Sequence, residues 1–158
     1  MRTNETLHLT QTKYISDLLY KVKMSETKHI TTPATTKQLS LYDGDLFPDP
    51  TLYRSTVGVL QYLSFTRADI AFSVNKVCQF MHKPTEVHWQ AVKRILRYLA
   101  GTRNHGICFN INSNSKVIVY ADADHASCPD DRSCTSGYCV YFGTNLISWS
   151  STKQKVVS

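Results

Sequence analysis

Chemistry could be done in this chain by two carboxylates that end an apolar run. The stretch is VIVYADAD, Val117 to Asp124, with Asp122 and Asp124 at its end. The apolar pattern reads as a half-buried strand. A carboxylate fixed at a strand end can offer oxygen to a hard divalent cation. Two such residues fall on one side only if the strand continues through both. If it stops at Asp122, that residue alone is held firmly. Phosphodiester cleavage by two metal ions needs several carboxylates around ions about 4 Å apart. The only acids downstream are Asp130 and Asp131, both in a polar loop, and no Glu follows Glu86. On the pattern alone, Asp122 reads more simply as a solvated strand terminus.

Two further clusters carry possible chemistry. His125, Cys128, Cys134 and Cys139 could ligate zinc, but their H-x2-C-x5-C-x4-C spacing is that of no standard knuckle or ribbon. Cys139 also falls within an expected strand, where a buried free cysteine is ordinary. Lys93, Arg94, Arg97 and Arg103 form a basic group on and after an expected helix, able to neutralise phosphates. The competing reading is a solvated helix face. No nucleophile elbow or glycine-rich phosphate loop is present.

The elements that position these residues follow from periodicity. Ile15, Leu18, Leu19 and Val22 predict a helix over 12–22, with Thr12 as cap. Residues 24–49, rich in Thr, Pro, Asp and Gly, read as an extended connector, of a kind suited to lying against something larger. Asp49-Pro50 opens a helix expected to bury Leu52, Val59, Leu60 and Leu63. Gly58 within it is compatible with a close helix approach. Thr66 and Asp69 suggest a capping box for a helix bearing Ile70, Val74, Val77 and Met81, ended by Pro84. Thr85 caps a fourth helix, burying Val92, Ile95, Leu96 and Leu99 and stopped by Gly101. From Gly106 the period becomes two, and GICFNI, KVIVYAD, GYCVYF and LISWS read as an antiparallel meander. The class is α+β, with helices first and strands after.

Bulk properties limit the functional classes. The 158 residues suit one ordinary domain or two small incomplete ones. The 42% hydrophobic content argues for a globular chain. Residues 1–105 hold 14 Lys and Arg against 8 Asp and Glu, whereas 106–158 hold 4 of each. The whole surplus of +6 thus lies in the front part, which suits a polyanion such as nucleic acid. Five cysteines with no repeated short spacing, behind a start without an apolar core, suggest a reducing intracellular compartment. The start also lacks the character of a transit peptide. No apolar run is long enough to span a bilayer.

Taken together, YRSTVGVLQYLSFTRADIAFSVNKVCQFM, HWQAVKRILRYLAGT, YADADHASCPDDRSCTSGY and LISWSSTKQKVVS resemble the Pol polyprotein of copia-type LTR retrotransposons. The opening LTQTKYISDLLYKVKM and the Thr32-Pro33 pair fit as well, so the resemblance runs from about Leu9 to Ser158. It implies that 1–105 are a reverse transcriptase thumb and connection region. It implies that 106–158 begin an RNase H-like domain, with its first three strands. Asp122 then corresponds to the first metal-binding carboxylate, a ligand of Mg²⁺ in the intact family.

The implied functions are RNA-directed DNA synthesis and cleavage of an RNA–DNA hybrid. The paired polymerase aspartates lie upstream of this sequence in the family, and the remaining RNase H acids lie downstream. Ala68 stands where the family usually has proline, His125 and Ser127 where it has tryptophan and glycine, and Cys134 where it has serine. The expectation is therefore a truncated Pol fragment that is catalytically inactive and holds no Mg²⁺ by itself. One alternative is a non-catalytic nucleic-acid-binding module using Lys93, Arg94, Arg97 and Arg103. Another is an RNase H half-domain completed in trans by a further Pol segment. A sheet without its covering helix is expected to expose an apolar face.

Overall fold

The helical part forms because four amphipathic stretches each need a partner for one apolar face. The computed structural model describes residues 5–35, 37–111, 114–124 and 128–154. Helix α1 is Thr12–Lys21, α2 Pro50–Leu63, α3 Ala71–Cys78 and α4 Glu86–Gly101, with a 3-10 turn at Ala68–Ile70 leading into α3. Strand β1 is Thr6–Thr10, β2 Gly106–Asn110, β3 Val117–Ala123, β4 Thr135–Phe142 and β5 Asn145–Lys153. The four helices and two antiparallel sheets bear out the α+β class.

One core joins all four helices. Ile15, Leu60, Leu63, Ile70, Val92, Ile95, Leu96 and Leu99 are fully or almost fully buried within it. Burying a side chain of this size contributes about 1.5–3 kcal/mol each. Helix α4 has the expected face and the expected cap. Thr85 Oγ1 accepts from the His88 amide at 3.4 Å, and His88 Nδ1 accepts from the Thr85 amide at 3.0 Å. A histidine thus fills the capping-box position usually held by Glu or Gln. The helix ends at its glycine, Gly101, with Thr102 as the C-cap.

Several local expectations are corrected. Helix α2 buries Tyr53, Thr56, Val57, Leu60 and Leu63, while Leu52 and Val59 are only half-buried. The true stripe includes Tyr and Thr, whose polar atoms hide them from an apolar count. Tyr53 Oη donates to the Val77 carbonyl at 2.8 Å, which makes its burial possible. Gly58 faces open space, so no close helix approach explains it. Thr66 and Asp69 form no capping box. Asp69 instead accepts two hydrogen bonds from Arg67, at 2.9 and 2.7 Å. Helix α3 stops at Cys78, well before Pro84.

The strands also differ from a single meander. GICFN, as β2, pairs with β1 and not with β3. Helix α1 packs on α4, which brings the segment before α1 beside the segment after α4. Gly106 is required there, because a Cβ would fall 1.9 Å from the Leu9 carbonyl oxygen. The meander proper is β3-β4-β5. Gly143, at φ +62°, makes the turn between β4 and β5. Asn145 ties the two sheets together. Its Oδ1 accepts from the Asn110 amide at 2.7 Å, and its Nδ2 donates to the Asn110 carbonyl at 3.0 Å.

The meander leans on the helices through β5, which packs against α3. Trp149 Nε1 donates to the Ser64 carbonyl at 3.1 Å. Strand β3 is the outer strand and is not half-buried: Val117, Val119 and Tyr120 are each about 60% exposed. The register sets Val117 opposite Phe142 and Val119 opposite Val140, so one sheet face is apolar and open. Among the described residues, no helix is long and apolar enough to cross a membrane.

Candidate functional site

The carboxylate end of β3 is built from main-chain geometry. Asp122 lies opposite Gly137 in the ladder and is exposed. Its Oδ1 accepts from the neighbouring Ala123 amide at 2.8 Å. Asp124 lies just past the strand, and the ladder reaches it through its amide, which donates to the Thr135 carbonyl at 3.0 Å. Its carboxylate in turn accepts a hydrogen bond from the Thr135 amide. One carboxylate thus fastens the sheet end, and the other stands at the surface. Among the described residues, no three His, Cys, Asp or Glu come together to hold a metal. Asp122 alone does not meet the needs of a two-metal centre.

The sulfur-rich loop does other work. Lys153 Nζ lies 3.1 Å from Cys128 Sγ and 2.8 Å from Asp131 Oδ2. Hydrogen bonds from Lys153, Ser133 and Cys128 hold the Asp131 carboxyl well below the usual range. Cys139 sits within β4, opposite Tyr120 and Trp149. His125 lies outside the described residues. Cys128, Cys134 and Cys139 form no disulfide, and none belongs to a metal-ligand group among the described residues.

The arginines on and just after α4 are neither loose nor simply solvated. Arg94 Nε donates to the Ala34 carbonyl at 2.6 Å, and its Nη2 donates to Thr32 Oγ1 at 3.2 Å. Arg97 Nε donates to the Lys28 carbonyl at 2.8 Å. Arg103 Nη2 donates to the Ser25 carbonyl at 2.9 Å. Three arginines therefore fasten the connector to α4. Hydrogen bonds from charged donors are worth about 1.5–3 kcal/mol each. What the connector lies against is this chain's own helix. Leu39 and Phe47 anchor it in the core, and Phe47 stacks on Trp89 at 4.9 Å between ring centres.

A groove of about 480 Å³ runs between α4 and the connector. Lys93, Arg94 and Arg97 line it from the helix, and Lys28 and Lys37 from the connector. Arg103 is not among the lining residues. Lys28 and Lys37 escaped the sequence reading because they sit in a Thr- and Pro-rich stretch with no period. The excess of cations in residues 1–105 was their only signal.

His88, also unassigned by sequence, is fully buried and stacks on Phe80 at 3.8 Å. Its Nδ1 accepts from an amide, so its Nε2 carries the proton toward the Ser40 carbonyl at 2.9 Å. Burial lowers its pKa from the ordinary histidine value. The carbonyl of Ser40 and the charges of Asp43 and Asp130 oppose that shift.

No family model matches the chain, and no solved structure matches it. Curated relatives do, among them three proteins of Arabidopsis thaliana. The retrovirus-related Pol polyprotein from transposon RE1 of Arabidopsis thaliana is 55% identical over 152 residues, covering 96% of this chain and 10% of that polyprotein. The corresponding polyprotein from transposon RE2 of the same plant is 50% identical over 157 residues, covering 99% of this chain and 11% of its own length. An uncharacterized mitochondrial protein of Arabidopsis thaliana is 43% identical over 152 residues, 96% of this chain and 63% of that protein. The chain thus spans about a tenth of the length of the Pol polyproteins it matches. With half or more of its residues shared along nearly its whole length, the chain belongs to the retrovirus-related Pol polyproteins of copia-type transposons, as a small segment of them.

Proposed function

We propose that residues 1–105 are a reverse transcriptase thumb and connection segment and that residues 106–158 open an RNase H-like domain. The β3-β4-β5 meander, with Asp122 on its first strand, supports this reading. We further propose that the chain by itself performs neither RNA-directed DNA synthesis nor hybrid cleavage. The observation that carries this is that, among the described residues, no metal-ligand group forms around Asp122 on its exposed strand, while Asp124 is spent on the sheet end. In the intact polyprotein, Asp122 would contribute one carboxylate oxygen to Mg²⁺. The direct test is cleavage of an RNA–DNA hybrid with Mg²⁺ present. The expected rate is background, equal in the wild type and in Asp122→Asn. Cleavage by the wild type that disappears in Asp122→Asn would overturn the proposal.

A second reading is a nucleic-acid-binding module. It is favoured by the arginines of α4, whose Nε atoms are fixed by connector carbonyls while the charge faces a groove. RNA–DNA hybrid is the partner expected from the family, through Lys93, Arg94 and Arg97, with Arg103 bound to Ser25 alongside. Completion in trans is favoured by the outer edge of β3, which has no strand partner among the described residues and where another Pol segment could add its strand. Hybrid cleavage that appears only on mixing with the downstream Pol segment would support it.

A further inference from the structure

We propose that Cys128 is a covalent modification site for a small apolar α,β-unsaturated ketone, which enters a cavity beside the residue and adds to its sulfur. The proposal is independent of the nucleic-acid reading. The first support is the cavity. About 190 Å³ lies between α3, α4, the connector and the loop after β3. Val77, Phe80, Ala91 and Ile95 give it apolar walls and belong to the helical core. Cys128 and Pro129 line it from the loop. A cavity of about 150 Å³ with such walls holds benzene. This one therefore takes a single six-membered ring and excludes much larger molecules.

The second support is the surroundings of the sulfur. Lys153 Nζ donates to Cys128 Sγ at 3.1 Å, and Asp131 Oδ2 lies 2.8 Å from the same nitrogen. Cys128 also hydrogen-bonds the Asp131 carboxylate. A proton donor and a proton acceptor thus flank one nucleophilic atom. A thiol buried only for packing needs neither. Cys128 is 6% exposed, which leaves the cavity as the approach for a reagent. Asp124 also lines the cavity, but the Thr135 amide engages its carboxylate.

The reaction needs no co-reactant. Sulfur bonds to the β-carbon while the C=C π pair moves toward the carbonyl oxygen, giving an enolate. Lys153 delivers a proton to that enolate. The thiol proton passes by way of Asp131 back to Lys153, so the net change is addition of S–H across C=C. Negative charge on the enolate forms beside a donor already in place, which costs no reorganisation. An alkyl halide gains nothing from this donor, because its halide leaves on the side away from sulfur.

The test is labelling of the full chain with cyclohexenone, followed by peptide mass spectrometry. The adduct should form first on Cys128, although Cys108 is the exposed cysteine. Iodoacetamide, an alkyl halide, should favour Cys108 instead. Saturated cyclohexanone fills the same space without alkylating and should slow the Cys128 adduct alone. Lys153→Met should slow that adduct about a hundredfold, the lower end of what a positioned proton donor contributes. Labelling of Cys108 should stay unchanged in this variant, which shows that the fold is kept. A cyclohexenone adduct on Cys108, Lys37 or Lys76 ahead of Cys128 overturns the proposal. A Cys128 adduct that cyclohexanone does not slow overturns the cavity as its route. Equal Cys128 rates in wild type and Lys153→Met overturn the donor.

Discussion

The helical body and the β3-β4-β5 sheet hold comparable apolar sequence but use it differently. In the body, Ile15, Tyr53, Leu60, Leu96 and Leu99 are buried from all sides. In the sheet, Val117, Val119 and Tyr138 remain exposed, and only the β5 side meets a helix. A helix pair can satisfy both partners with one shared stripe, whereas a sheet has two faces and two edges to cover. The body therefore completes a core from its own residues. The sheet keeps its edge and its one exposed carboxylate available to something else. The difference teaches where function can be sought: the body as a closed unit bearing a charged groove, the sheet as an open one.

The largest expected effect sharpens this contrast. Leu96→Ala in α4 should destabilise the chain by about 2–5 kcal/mol, whereas Val119→Ala on β3 should cost under about 0.5 kcal/mol. Urea unfolding followed by tryptophan fluorescence measures both, since Trp89 reports the body and Trp149 the sheet. Equal losses would break the comparison and show that β3 is covered after all.

The next effect depends on pH. The folded-state pKa of His88 lies below its unfolded value, so neutral His88 favours the fold. Its contribution is fully present above about pH 6.5 and is lost as pH falls through the lower folded value. The groups that face it are the carbonyl of Ser40, the ring of Phe80 and the charges of Asp43 and Asp130. The urea midpoint should therefore drop on acidification below pH 6.5, before the carboxylates protonate. His88→Gln keeps an amide at the capping position and should flatten that limb. A limb unchanged by the substitution would assign the pH dependence elsewhere. Asp69 titrates in a lower window. Burial raises its pKa, but the hydrogen bonds from Arg67 and Tyr98 outweigh that.

The smallest effect concerns the joint. Trp149→Phe deletes the hydrogen bond to the Ser64 carbonyl, a loss of about 1 kcal/mol. Amide hydrogen exchange should quicken in β4 and β5 and stay unchanged in α4. Faster exchange throughout would mean that the two regions unfold as one.

Much of the body was legible in the sequence. The α4 stripe at Val92, Ile95, Leu96 and Leu99 and the cap at Thr85 are local patterns, and a helix expresses them without distant help. Asp49 likewise caps α2, accepting from the Leu52 amide at 2.8 Å. The misreadings involve partners remote in sequence. The face of α2 turned on Tyr53 finding Val77. Asp69 was claimed by Arg67, which also donates to Thr102 at the far end of α4. Of the candidate site, Asp122 was placed correctly at a strand end. Its solvation was the simpler reading of the pattern, but the exposure of the strand around it was not legible, because only the sheet order places β3 at an edge.

The sequence by itself determined the α4 stripe, the caps at Asp49 and Thr85, the strand periods and the family, because each is written in residue types a few positions apart or in long identity. Only the tertiary structure decided that β2 leaves the meander for β1, that the connector docks on α4, and that Lys28 and Lys37 join Lys93, Arg94 and Arg97 in one groove. Those outcomes depend on contacts between segments up to about a hundred residues apart, whose geometry is set by packing and carries no signature in the local pattern.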